Sequence, residues 1–166
     1  MLTGKLWFRV PETIRIELKG TLQPGVWAKD VTLTMLSKLG AEGANYRALE
    51  YCGDGVAAMG IDDRMTLANH AAELGAKAAL LEADDKTTAW LKAHGAAAPK
   101  PVKADADAKY VQRIVIDTAN LSPQIARKHL IDDVVGVPEV AGQKIQVALI
   151  GTCTNGRLDD IRQAAA

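Results

Sequence analysis

Runs with the two-residue period of a strand alternate with runs of helical period along almost the whole chain, and glycine closes several of them. This order restricts the fold more than any other feature, because strand–helix–strand is the unit from which parallel sheets are built. Thr13 to Leu18 sets Ile14, Ile16 and Leu18 around Arg15 and Glu17, the pattern of a half-buried strand. Thr21 to Trp27 contains Pro24-Gly25 and turns the chain. From Ala28 to Leu39, Val31, Met35 and Leu39 recur at helical spacing with Leu36 beside them, and Gly40 is the expected stop. A short strand is expected at Arg47 to Tyr51, a turn at Cys52-Gly53-Asp54-Gly55 and one helical turn at Val56 to Met59. A longer helix is expected from Asp62 to Leu74, stopped by Gly75. Lys77 to Leu81 reads as a strand, and Lys86 to Ala93 as a helix ending at His94-Gly95.

Residues 96–108 mix Ala, Pro, Lys and Asp without a period and read as a linker. Beyond them Val111 to Ile116 is strand-like, and Leu121 to Lys128 is open between a loop and a short helix. Ile145 to Ile150 has the look of a fully apolar strand, followed by Gly151-Thr152-Cys153-Thr154-Asn155-Gly156 and a helix from about Leu158. The whole implies a layered α/β fold with no internal repeat.

Composition removes several function classes. Lysine plus arginine and aspartate plus glutamate balance at 20 each, so there is no basic excess for nucleic acid. No apolar run approaches the roughly 20 residues of a membrane helix, and Met-Leu-Thr-Gly-Lys is no signal peptide. Neither nucleic acid nor membrane is expected as a partner, and a cytoplasmic location is expected. The two cysteines, Cys52 and Cys153, belong to no Cys-x-x-Cys pair and are expected to be free.

Three constellations could carry chemistry. Gly53-Asp54-Gly55-Val56-Ala57-Ala58 fits the Gly-x-Gly-x-x-Ala form of a dinucleotide site, with Glu82 as a ribose ligand at the end of the next strand. Against it, Gly60 and Asp62-Asp63 interrupt the helix, and that anionic pair would repel a pyrophosphate. The alternative is a plain turn. Asn69 and Glu73, four apart on one helix face, could hold a substrate hydroxyl or a water from two directions; the alternative is a solvated polar stripe. His70 points about 100° away from them and reads as structural or superficial. Cys153 sits in a glycine-flanked loop between strand and helix, where open α/β sheets bind ligands and where a thiolate is favoured. The alternative is a small buried residue.

Taken together, three stretches resemble the aconitase superfamily: Gly4-Lys5-Leu6-Trp7-Phe8-Arg9-Val10-Pro11-Glu12-Thr13; Arg64-Met65-Thr66 through Asn69 to Glu73-Leu74-Gly75-Ala76-Lys77; and Ile150-Gly151-Thr152-Cys153-Thr154-Asn155-Gly156-Arg157-Leu158-Asp159-Asp160. They lie in the family's order, and the last is the most specific. Within the superfamily the resemblance is greatest to the 3-isopropylmalate dehydratase large subunits. It implies an α/β/α domain with a mixed sheet plus part of an adjoining α/β domain, divided as 1–12 (tail of a first domain), 13–104 (second domain) and 105–166 (linker and start of a third). It also implies an interior piece of a hydro-lyase that works with a small subunit on a small hydroxy-dicarboxylate, and a [4Fe–4S] cluster held by three cysteines with one iron left open. Cys153 matches the first of those cysteines. Asn69 and Glu73 match the asparagine and glutamate that hydrogen-bond the hydroxyl or water on the iron. Ala68 and His70 depart from the cysteine and methionine usual at their positions. The Cys-x-x-Cys pair is expected downstream of residue 166 and an Asp-Ser-His-Thr segment upstream of residue 1, so the chain alone is expected to hold no cluster.

Overall fold

The computed structural model describes residues 3–127 and 129–165. Met1, Leu2, Lys128 and Ala166 lie outside them, and with them the ends of the expected segments 1–12, Leu121–Lys128 and 105–166. Four strands, β1 (Thr13–Lys19), β2 (Ala48–Cys52), β3 (Ala78–Leu81) and β4 (Gln112–Asp117), form one sheet in the order β3-β2-β1-β4 with every pair parallel. Helices α1 (Ala28–Leu39), α2 (Asp54–Ala58), α3 (Ile61–Asn69) and α4 (Asp85–Ala93) lie between the strands in sequence. The α/β class is as expected. The pairing is divided, since antiparallel pairing is confined to a separate ribbon of β5 (Gln124–Ala126) and β6 (Val134–Gly136). The first sheet takes strands from both sides of residue 104.

Alternation along β1 decides which face is buried. Ile14, Ile16 and Leu18 have no exposed surface and join Leu49 and Tyr51 of β2, Ile116 of β4, and Val31, Met35, Leu36, Val56 and Leu67 from α1, α2 and α3 in one apolar cluster. Burying a side chain of this size contributes about 1.5–3 kcal/mol. The other face carries Arg15, Glu17, Glu50 and Cys52, so the helices that share the apolar core lie on one side of the sheet. The 94–111 connection joins the two edge strands by crossing that polar face. Tyr110 pins it there: its hydroxyl donates to Glu50 Oε1 at 2.7 Å, and the guanidinium groups of Arg15 and Arg113 lie over its ring at 5.2 and 4.7 Å.

The helix ends follow local chemistry. Asp30 Oδ2 accepts from Trp27 N–H at 2.7 Å and starts α1, while Oδ1 accepts from Gln124 N–H at 2.7 Å, fastening the ribbon to the helix. Gly40, at φ 78°, closes α1 by donating to Leu36 O at 2.8 Å. The helix expected over Asp62–Leu74 is α-helical only to Asn69 and tightens into a 3₁₀ turn at His70–Ala72. The carbonyls of Leu74 and Gly75 are taken by Ala44 and Tyr46 N–H groups, which draws the chain out of the helix. Lys86 donates to the carbonyls of Ala57, Ala58 and Met59 at 2.6, 2.9 and 3.2 Å, capping α2 from α4.

Two expectations change. Within Leu121–Lys128, Gln124–Ala126 forms β5. Ile145–Ile150 forms no strand: Ile145, Val147 and Leu149 are 77–81% exposed. An apolar run becomes a strand only beside a neighbour that takes its main-chain hydrogen bonds, and none among the described residues lies alongside. It leads to α5 (Thr152–Asn155) and α6 (Leu158–Ala165).

Asp84 joins α3 to α4. Its Oδ2 lies 2.6 Å from Arg64 Nη2, and Oδ1 accepts from Thr87 N–H at 3.1 Å to cap α4. The guanidinium holds the carboxyl well below the usual carboxylate range. A depressed folded-state value means this contribution is present in full above about pH 4 and is lost as pH falls. Arg64 is 6% exposed at its side chain but Asp84 is 39% exposed, so water screens the pair. Asp84→Ala is expected to lower unfolding free energy in urea by about 1–2 kcal/mol, below the roughly 3–5 of a fully buried pair, with the difference from the parent shrinking below about pH 4.

Candidate active site

Thr152–Asn155 is a single helical turn between two glycines, and its geometry is tight. Gly151 has φ 153°, Thr152 has φ 75°, and a Cβ added to Gly156 would lie 2.7 Å from Thr152 O. A β-branched residue at positive φ is a strained position that its surroundings must hold. Here the holding is done by a side chain 88 residues away in sequence. Thr66, buried on α3, donates its hydroxyl to Thr154 O at 2.7 Å. Arg157 Nη1 donates to the same carbonyl at 2.9 Å and to Thr66 Oγ1 at 3.2 Å, and Nη2 donates to Cys153 O at 3.2 Å. Thr154 is thereby turned inward, 5% exposed, and Cys153 is left outside with a free, exposed thiol. The alternative of a small buried cysteine does not hold for Cys153.

The helix that anchors this turn ends in Asn69. Asn69 is half-buried, and its amide makes no side-chain hydrogen bond among the described residues. Glu73 follows the 3₁₀ turn, so the tighter winding carries it further round than a continuous α-helix would. Its side chain is 33% exposed, with Oε2 buried, unpartnered and 3.7 Å from His70 Nδ1. His70 is 7% exposed, and neither ring nitrogen has a hydrogen-bond partner. Of the two sequence readings of His70, the superficial one does not hold. Burial pushes the imidazole below its ordinary range; Glu73 acts the other way, and Lys29 of α1 adds to the lowering.

A groove of about 560 Å³ opens beside the Cys153 turn. Lys29, Asp30, Gln124, Gly151, Asn155 and Asp160 supply its polar and loop lining. It shares Gly151 and Asn155 with the Cys153 turn, although Cys153, Asn69 and Glu73 do not line it.

The glycine motif has a structural use. A Cβ on Gly53 would sit 2.3 Å from Leu18 O, and one on Gly55 would sit 2.8 Å from Leu18 Cβ. Both glycines let α2 pack against the end of β1. Asp54 Oδ1 and Oδ2 each accept from Gly20 N–H at 3.2 Å, and Oδ1 also accepts from Gly55 N–H at 3.1 Å, so the chain's own carboxylate takes the amides a phosphate would use. Helix α2 has five residues, and Glu82 pairs with Lys103 at 2.9 Å. Cys52 is also engaged within the fold, its sulfur 3.2 Å from Arg15 Nε.

Cys153 is exposed and unpaired, so it could serve as one ligand of a metal cluster. Among the described residues no group of three His, Cys, Asp or Glu side chains could hold a metal ion, and no helix is long and apolar enough to cross a membrane. The roles of Thr66 and Arg157 were not found from sequence: both residues lie in the stretches that carry the resemblance, but each acts on a main-chain carbonyl, which no side-chain pattern reveals.

The sequence matches the aconitase family (aconitate hydratase) over residues 1–143. It is 47% identical over 163 residues to 3-isopropylmalate dehydratase large subunit 1 of Methanopyrus kandleri, covering 98% of this chain and 39% of that protein. It is 44% identical over 164 residues to the probable methanogen homoaconitase large subunit of Methanosarcina mazei, covering 99% of this chain and 42% of that protein. With 3-isopropylmalate dehydratase large subunit 1 of Thermotoga maritima it shares 45% identity over 164 residues, covering 97% and 39%. The chain thus spans about two-fifths of the length of these relatives. The family match stops short of Cys153, which the pairwise similarity to the M. kandleri protein, at 98% of the chain, carries toward.

Thr66→Val removes the buried donor and keeps the shape. It is expected to lower stability by about 1–2 kcal/mol, and to raise amide hydrogen exchange across residues 152–156 more than in β1. Unchanged exchange there would show that Arg157 alone holds the turn.

Proposed function

Because this chain belongs to the aconitase family, we propose that it is part of the large subunit of an iron–sulfur hydro-lyase. The substrate is a small hydroxy-dicarboxylate, in first place 2-isopropylmalate, isomerised to 3-isopropylmalate by loss and readdition of water in leucine biosynthesis. A dehydratase small subunit is its partner, and the location is cytoplasmic. The observation that carries this reading is the buried bond from Thr66 to Thr154 O, which ties the turn bearing Cys153 to the helix ending in Asn69. The names of the relatives support the substrate class, and the homoaconitase name of the M. mazei protein makes a homologous tricarboxylate the second candidate.

A [4Fe–4S] cluster with one open iron supplies a Lewis acid. Cys153 would hold it as one of three thiolates, the other two coming from beyond this chain, so the 166 residues alone assemble no stoichiometric cluster and are inactive. The chain's own contribution is electrostatic. Asn69 donates from its amide toward the departing hydroxyl oxygen, and Glu73 holds the proton on that oxygen or on the returning water. Both act most strongly as the carbon–oxygen bond breaks and charge gathers there. The domain division at residues 12 and 104 belongs to the same proposal.

The test uses the two-subunit holoenzyme whose large subunit carries this chain, assayed with 2-isopropylmalate and with homocitrate. Glu73→Gln and Asn69→Ala are each expected to lower kcat by about 10²–10³ with iron content unchanged and KM little affected. Near-parental turnover in both would remove these residues from the mechanism. Cys153→Ser is expected to lose cluster absorbance as well as activity; retention of a full cluster would overturn its role.

A further inference from the structure

We propose that His70 positions Glu73: as a neutral imidazole it holds the carboxylate through Nδ1–H, and the reaction slows when the ring takes a second proton. The inference rests on the catalytic role proposed for Glu73. Three observations lead to it. His70 is 7% exposed with both ring nitrogens unpartnered, and Glu73 Oε2 is buried and unpartnered 3.7 Å from Nδ1. Two buried polar groups left unmade beside one another are costly, and buried side chains of this kind normally have a partner. A small rotation of the carboxylate closes the gap to a hydrogen bond.

The backbone explains why the two groups meet. In a 3₁₀ turn side chains three residues apart eclipse one another, and the change of winding at His70–Ala72 brings position 73 over position 70. A continuous α-helix would leave them offset. The charged groups that act on the ring are Glu73 from its own turn and Lys29 from α1, which oppose each other, and burial decides in favour of the neutral form. A neutral ring donates one proton in a fixed direction. A charged ring draws the carboxylate into an ion pair and away from the substrate.

In the holoenzyme, His70→Met is expected to lower kcat about 10-fold by loosening Glu73, with KM close to the parent's, and to flatten the low-pH limb of the kcat profile. His70→Gln keeps an N–H donor and does not titrate; it should recover most of kcat at neutral pH while the limb stays flat. A second readout needs no activity. By NMR of ring-labelled histidine in the 166-residue chain, the His70 midpoint lies below about 6.5 and moves lower in Glu73→Gln, which removes the charge favouring imidazolium. A parental kcat profile in His70→Met, or a midpoint unmoved by Glu73→Gln, overturns the proposal. If Glu73→Gln itself turns over normally, the catalytic role of Glu73 fails and this inference falls with it; crippled Glu73→Gln beside unaffected His70→Met sinks the positioning role alone.

Discussion

β1 is hydrogen-bonded on both sides along most of its length, to β2 and to β4, and the alternation of its side chains decides where everything else can lie. Ile14, Ile16 and Leu18 must leave water, so all three helices that contribute to the core gather on their side. The end of the strand then organises its neighbours through backbone rather than side chains. Lys19 O and Gly20 O both accept from the Thr118 hydroxyl at 2.8 Å, Gly20 N–H reaches Asp54, and the approach of Gly53 to Leu18 O leaves no room for a Cβ. Any change in β1 register by one residue would exchange the apolar row for Arg15 and Glu17.

The candidate site depends on that frame at second hand. Helix α3 is seated through Leu67 and the buried Arg64, and only then does Thr66 have a fixed place from which to hold Thr154. Strain at Thr152 is balanced across a distance, so the exposed thiol of Cys153 is set by residues that never touch it. The same helix ends in the half-buried Asn69 and runs into the turn that joins His70 to Glu73. One element therefore serves packing along one side and polar chemistry at its end.

Strands β1, β2, β3 and β4, helices α1 and α4, and the glycine stop at Gly40 were legible because each is a local pattern of polarity or of backbone freedom. Cys153 was legible as a candidate because glycines flank it, but its exposure was not, since a small buried cysteine fits the same sequence. The rest depended on partners distant in sequence. Helix α3 was read as five residues longer in α form because the pull of Ala44 and Tyr46 on the Leu74 and Gly75 carbonyls has no local mark. The depth of His70 could not be read because its cover comes from elsewhere in the fold. Ile145–Ile150 was read as a strand because its composition is that of one, and composition does not say whether a neighbour exists. The nucleotide reading of Gly53 and Gly55 saw correctly that backbones approach closely there, but the approach is to Leu18.

The bare segment Ile145-Gln146-Val147-Ala148-Leu149-Ile150 has a further consequence. It carries no charge and no proline, it is rich in β-branched and aliphatic residues, and most of its surface faces water. Segments of that kind pair readily with copies of themselves, as in the stacked sheets of amyloid. The edge strands β3 and β4 are four and six residues long, and β4 offers Val115 half-exposed on its outer side. At high concentration the chain therefore carries its own nucleus for aggregation, and turbidity on storage should track residues 145–150 rather than the stability of the sheet. A lysine at Val147 would guard that nucleus without touching the core, as gatekeeper charges do beside hydrophobic strands.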